Sequence, residues 1–208
     1  MQNTLHTPSI LGRLKAETQD SHNKIEKVSC MKRLFASDYS IVEYRSFLER
    51  MFGFYSAIEP IIFHHLSDEL RPHFQFRSKI ESLKQDLIQL GLNEQDIAAL
   101  PRCASIAFVN SVNQSLGVWY VLEGSTLGGQ VISRQLKQQF GDSALHFMHF
   151  HNSYGDKTRS FWSAFCEVIE ENIDFEDNQK VGELIHSAKL TFDYLTVWLG
   201  QESVKNVV

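Results

Sequence analysis

No proline follows Pro101 in this 208-residue chain, and that absence constrains the fold more than any other feature. Proline breaks helix interiors and central strands, so the whole second half is free to be continuous helix. Apolar residues there recur at helical spacing. Ile106 to Phe140, closed by Gly141, reads as one long helix, and Thr158 to about Ile173 and Val181 to Leu199, closed by Gly200, read as two more. Upstream, Leu11, Leu14, Thr18, Ile25 and Val28 place a helix over about 9–29, with the Thr7-Pro8 pair tolerated at its first turn. Ser40-Ile-Val-Glu43 is a capping box opening a second long helix, whose Tyr44, Phe47, Met51, Phe54, Ile58 and Ile62 make a broad apolar face; Pro60 kinks or ends it. Ile80, Leu83, Leu87 and Leu90 form another stripe stopped by Gly91, and Asn93 to Leu100 makes a short connecting turn of helix. No stretch alternates with period two between hairpin signals, and no repeat or linker divides the chain. The expected fold is all-α: one multi-helix domain over 9–200, with tails at 1–8 and 201–208.

Charge and cysteine usage narrow the setting. Twenty Lys and Arg against 25 Asp and Glu give a formal charge of −5, so no global field draws the chain to nucleic acid or an anionic membrane. The longest apolar runs, such as Val118 to Leu122, fall far short of the roughly 18 residues of a spanning helix. No basic stretch followed by an apolar one opens the sequence, so no secretory signal is visible. Cys30, Cys103 and Cys166 are odd in number and widely spaced, which argues against a disulfide framework and for a reducing compartment. The expectation is a soluble, cytoplasmic protein with neither nucleic acid nor membrane as partner.

The segment Gly117-Val-Trp-Tyr-Val-Leu-Glu-Gly-Ser-Thr-Leu-Gly-Gly129 is costly for a helix, since each glycine loses about 1 kcal/mol relative to alanine. At about 100° per residue, Gly117, Gly124 and Gly128 fall on one face. Such bare backbone suits a helix that lies close to a flat ligand. It equally suits a tight helix–helix crossing through small residues. Tyr120, one turn before Gly124, either reaches a ligand's polar edge with its hydroxyl or fills the core.

In the first helix, Lys15, His22 and Glu26 share a stripe at the margin of the apolar face. His22 could offer a neutral imidazole to a metal, with Glu26 fixing the tautomer and Lys15 meeting an anionic ligand edge. Taken singly, His22 reads as a half-buried histidine and Lys15 as a surface lysine. The constellation carries more than its members.

Together, Leu14-Lys15-Ala-Glu-Thr18, His22-Asn-Lys-Ile-Glu26 and Trp119-Tyr-Val-Leu-Glu-Gly-Ser-Thr-Leu-Gly-Gly-Gln-Val-Ile132 resemble the haem (heme) oxygenase family, most closely its bacterial phytochrome-associated branch. The resemblance covers about residues 10 to 200. It implies a helical bundle that holds the ligand between the first helix and a kinked, glycine-rich distal helix. It places His22 on the iron ligand, Glu26 on that ligand's hydrogen-bonding partner, and Lys15 and Tyr120 on residues that meet the propionates. Gly124, Gly128 and Gly129 fall on the distal glycines that pack against the heme face, and Phe192 on an aromatic lining the pocket. Ser125 stands where animal-type members carry an aspartate that organises waters for proton delivery, so the proton network here must be arranged differently. The reaction so implied uses heme as substrate and cofactor, with dioxygen and an external electron donor, and yields biliverdin, carbon monoxide and ferrous iron. No flavin or dinucleotide fingerprint is present, so electrons would come from a separate reductase or ferredoxin-like donor, and a bacterial phytochrome would be an acceptor of biliverdin. The alternative on the same fold is a non-catalytic heme-binding or heme-handling protein, which Ser125 keeps open.

Other features read as structural. His146, His149 and His151 lack a metal-ligand spacing and are expected in a solvated loop, His64 and His65 suit a helix C-terminus, and Phe161, Trp162 and Phe165 read as core. Ser125-Thr126 lacks the strand and G-x-S-x-G turn of a hydrolase.

Overall fold

Residues 9–66, 68, 70, 72, 78–103 and 106–201 are described by the computed structural model, and among them there is no β-strand. The Thr7-Pro8 helix start, the tail 1–8 and residues 202–208 of the other tail lie outside the described residues. Helix α1 (Ile10–Glu26) opens on Ser9, whose hydroxyl accepts from the Gly12 N–H. It stops at Glu26 rather than continuing to 29, and a separate short helix α2 (Ser29–Arg33) follows the break. Helix α3 (Ile41–His65) has the expected capping box, with the Ser40 hydroxyl accepting from Glu43 N–H and the Glu43 carboxylate from Ser40 N–H. Pro60 does not end it; the ring sits on the exposed side and the helix runs on to His64 and His65. Helices α4 (Lys79–Gln89) and α5 (Glu94–Ala99) follow, separated by Gly91 at φ 94°.

Helix α6 (Val112–Phe140) is shorter than the apolar pattern suggested. Ser111 caps it by accepting from Gln114 N–H, while the Gln114 side chain takes the Asn110 N–H. Ile106 and Val109 are buried, but in the turn that leads into the helix. Hydrophobic burial alone does not distinguish the two. Gly141, at φ 63°, ends α6, and 3₁₀ turns at Gly141–His146 and Gly155–Lys157 lead to α7 (Thr158–Asn172) and α8 (Asn178–Gly200). Gly200 is the last helical residue of α8 and not a left-handed terminator.

Helices α3 and α6 run antiparallel, as the pairs Phe63 with Trp119, Tyr55 with Ser125, and Gln139 with the Tyr39 carbonyl require. Helix α1 runs alongside α8 in the same direction, through Glu17 with Lys189, Ser21 with Asp193 and Cys30 with the Leu199 carbonyl. Helix α8 packs most extensively on α6 and next on α1, whereas α1 and α6 touch each other little. At the α6–α8 crossing, a Cβ on Gly117 would overlap the Leu184 carbonyl oxygen and the Ser187 hydroxyl. The buried Glu123 carboxylate accepts from Trp119 Nε1 at 3.3 Å and from the Tyr154 hydroxyl at 2.7 Å, which ties α6 to the segment before α7.

The histidines of that segment part company. Asp86, fully buried, accepts from the N–H groups of His149 and Phe150 and pairs with His149 Nδ1 at 2.7 Å. His151 is buried and stacks on Phe47, ring centroids 5.9 Å apart, and burial pulls its imidazole down to about 3. Only His146 of the three is exposed, so the expected solvated histidine loop is in fact an anchored one. Among the described residues no cluster of three or more metal-ligating side chains occurs, the three cysteines are free, and no helix is long and apolar enough to cross a membrane.

Candidate active site

The hydroxyl of Tyr120 on α6 comes close to that of Thr18 on α1, and burial pushes the phenol's proton affinity up. Thr18 in turn donates to the Leu14 carbonyl at 2.7 Å. This junction orients both candidate motifs. His22 lies one turn beyond Thr18 on α1, and Gly124 and Gly128 lie one and two turns beyond Tyr120 on α6. These are the two candidate walls of the site.

On the α1 wall, Lys15, His22 and Glu26 are all exposed. His22 Nδ1 is 3.6 Å from Glu26 Oε1, an ion-pair distance longer than a hydrogen bond. The His22 side chain is 49% exposed, and no described residue bonds its Nε2. Phe192, buried on α8, meets the imidazole edge-on with centroids 5.6 Å apart and limits how the ring turns. A nitrogen donor with one ring atom facing a carboxylate and the other open is the arrangement that a metal-binding histidine needs. Beyond the end of α1, a cavity of about 1030 Å³ opens between α2, α3 and α8, lined in part by Val28, Arg33, Phe47 and Thr196.

On the α6 wall the glycines divide. A Cβ on Gly128 would meet nothing within 4 Å, and one on Gly124 would meet only the Trp162 indole, at 3.5 Å. Gly129, expected on the ligand-facing surface, has its free side 2.7 Å from the His151 carbonyl oxygen instead. Its missing side chain therefore serves packing, as does that of Gly117. The structure thus brings His22 together with Glu26 and Phe192, leaves the free sides of Gly124 and Gly128 clear of other backbone, and turns that of Gly129 onto the His151 carbonyl. Lys15 forms no ion pair among the described residues.

Ser125 donates to the Leu122 carbonyl at 2.7 Å, leaving its oxygen to accept from the Tyr55 hydroxyl at 3.3 Å. Burial pushes the Tyr55 phenol well above its ordinary range, so it remains a proton donor. Tyr55 is a site residue that the sequence did not reveal. It belongs to the apolar face of α3, and nothing local marks it as reaching α6, 70 positions away. For the same reason Thr18 reads in the sequence only as part of the first helix's stripe, and Trp162 only as core.

An open imidazole on one wall and bare backbone on the other fit a flat ligand that carries a metal at its centre. The family model of heme oxygenase matches residues 9–201. A heme oxygenase of Xanthomonas campestris pv. campestris (strain 8004) is 33% identical over 100 residues, 48% of this chain and 55% of that protein, so the match spans about half of the relative's length. Heme oxygenase from Leptospira interrogans superposes with a TM-score of 0.73 at 15% identity, covering 93% of this chain and 99% of the other. Heme oxygenase-1 of Synechocystis sp. PCC6803, solved in complex with heme, gives 0.68 at 17% identity over 92% and 91%. The Neisseria meningitidis enzyme gives 0.68 at 21% over 93% and 91%. At such identities the superpositions establish the all-helical fold, and the family model, spanning nearly every residue, establishes descent: the chain belongs to the heme oxygenase family.

Proposed function

We propose that the chain is a heme-degrading monooxygenase, a heme oxygenase that binds heme between α1 and α6. With dioxygen and external electrons it opens the ring to biliverdin, carbon monoxide and ferrous iron. The observation that carries this reading is the half-exposed His22 imidazole, with Glu26 facing Nδ1, Phe192 edge-on to the ring and no described partner at Nε2. Heme, when bound, supplies the redox chemistry.

The chain's own residues bind, orient and protonate. His22 offers Nε2 to iron, Glu26 faces Nδ1 and Phe192 braces the ring. Lys15 and the Tyr120 hydroxyl meet the anionic edge of the ligand. Gly124 and Gly128, with no side chains of their own, would let a flat ligand approach the α6 backbone closely. Ser125, its own proton committed to the Leu122 carbonyl, accepts from Tyr55, so the protonated Tyr55 phenol stands behind the position where other members carry an aspartate. A separate reductase or ferredoxin-like protein supplies electrons, since the sequence contains no flavin or dinucleotide fingerprint. A bacterial phytochrome is the proposed acceptor of biliverdin.

Titration with hemin followed by reductant in air tests the reading. The expected result is a Soret band that saturates at one heme per chain and converts to a biliverdin spectrum. His22→Ala should weaken binding by more than the roughly 10–100-fold typical of changes outside the ligand shell, and should abolish conversion. Tight binding through His22 without ring opening would assign a heme-handling role, and absence of binding would overturn both.

A further inference from the structure

Gly124 is the one glycine of the α6 ligand-facing surface whose free side meets a side chain. Its Cβ position would lie 3.5 Å from Cζ3 and Cη2 of Trp162, whereas Gly128 faces open space. The indole is no loose surface ring. It is half-buried, with Tyr120 at 5.5 Å and Phe165 at 5.7 Å between ring centroids. A flat ligand on this surface therefore finds open backbone at Gly128 and meets the edge of the indole beside Gly124.

We propose that Trp162 is a specificity-determining residue, its indole forming the fixed wall at Gly124 that sets how the heme ring is turned in its own plane, and hence which meso bridge is opened. This rests on the heme oxygenase reading above. The four meso bridges of heme are chemically alike and differ mainly in the substituents beside them, so selection among them must come from ring orientation. A rigid apolar wall at one end of the cleft accepts some substituent pairs and rejects others by shape, and contacts of that size discriminate by about 10-fold to 200-fold. No atom or electron of the reaction passes through the indole. Its role is positional.

The test compares wild type, Trp162→Phe and Trp162→Ala by hemin affinity, by chromatographic resolution of the biliverdin isomers, and by the heme-methyl proton resonances of the hemin complex, which report ring orientation without turnover. Wild type should give one dominant isomer and one dominant set of methyl resonances. Trp162→Ala should raise the minor isomer about tenfold and show a second set, with a smaller change in affinity, and Trp162→Phe should stay close to wild type. An unchanged isomer ratio and a single unchanged set in Trp162→Ala would overturn the proposal, as would loss of binding in the Ala and Phe variants alike. Should Trp162→Ala fail to fold by circular dichroism, Trp162→Leu carries the same two criteria. Wild type that binds hemin without turnover defeats the enzymatic reading while the resonances still decide ring orientation; wild type that binds no hemin defeats both.

Discussion

Gly117 and Gly128 are three turns apart on one helix, share its face by angle, and do opposite things. At Gly117 the missing side chain admits the α8 backbone, and at Gly128 it admits nothing that belongs to the protein. Gly129 sides with Gly117, through the His151 carbonyl, and Gly124 sides with Gly128, its only neighbour a side-chain ring. The sequence left two explanations open for these glycines, a helix crossing or a ligand surface, and α6 contains both. A glycine closed by backbone is a packing residue, since backbone cannot rotate away from an added methyl group. One facing space or a ring leaves room for something else.

That division can be tested by adding methyl groups. Gly117→Ala should cost most, about 3 kcal/mol, because its Cβ has nowhere to go between Leu184 and Ser187. In a thermal melt this appears as a fall of roughly 6–12 °C. An unchanged melting temperature would break the comparison at its packed end.

Acidity probes the partner of Gly129. Unfolded, His151 takes a proton near the ordinary value of about 6.5, while the fold holds it down to about 3. Between those values the unfolded chain binds more protons, so stability is lost as pH falls from about 6.5 toward 3. His151→Phe, which keeps a ring against Phe47, should reduce the loss between pH 7 and pH 4 by about 3 kcal/mol in paired denaturant titrations.

Gly129→Ala should cost about 1 kcal/mol, less than Gly117→Ala, because its single close neighbour lies in a segment better able to shift than α8. Gly128→Ala should have the smallest effect on folding and the opposite sign, with a gain of up to about 1 kcal/mol from helix propensity. Its hemin affinity or turnover should nevertheless fall. A Gly128→Ala protein that melts lower and binds hemin normally would reverse the assignment.

Local signals account for what was legible in the chain. The Ser40-to-Glu43 box, the turns at Gly91 and Gly141, and the stripe shared by Lys15, His22 and Glu26 are readable because a helix relates residues three, four and seven apart. The misplaced start of α6 was also a local matter. Ser111-Val-Asn-Gln114 has the capping pattern, but the apolar run from Ile106 to Val109 outweighed it. What stayed hidden is non-local. Tyr55 meets Ser125, Tyr120 meets Thr18, Trp162 meets Gly124, and Gly129 meets His151 only after the helices have docked. Spacing within one segment therefore identifies a glycine face but cannot assign each glycine its partner.

The shared reliance of α1 and α6 on α8 has a mechanical consequence. Helices α1 and α6 touch each other little, so α8 works as the shim between the jaws of a vice, and its seating against each sets their separation. One side of that seating is the contact at Gly117, the other the row Glu17–Lys189, Ser21–Asp193 and His22–Phe192. A change that slides α8 by a fraction of an ångström alters the jaw opening for any guest without touching a residue that contacts it. The tolerance of the cleft is machined outside the cleft.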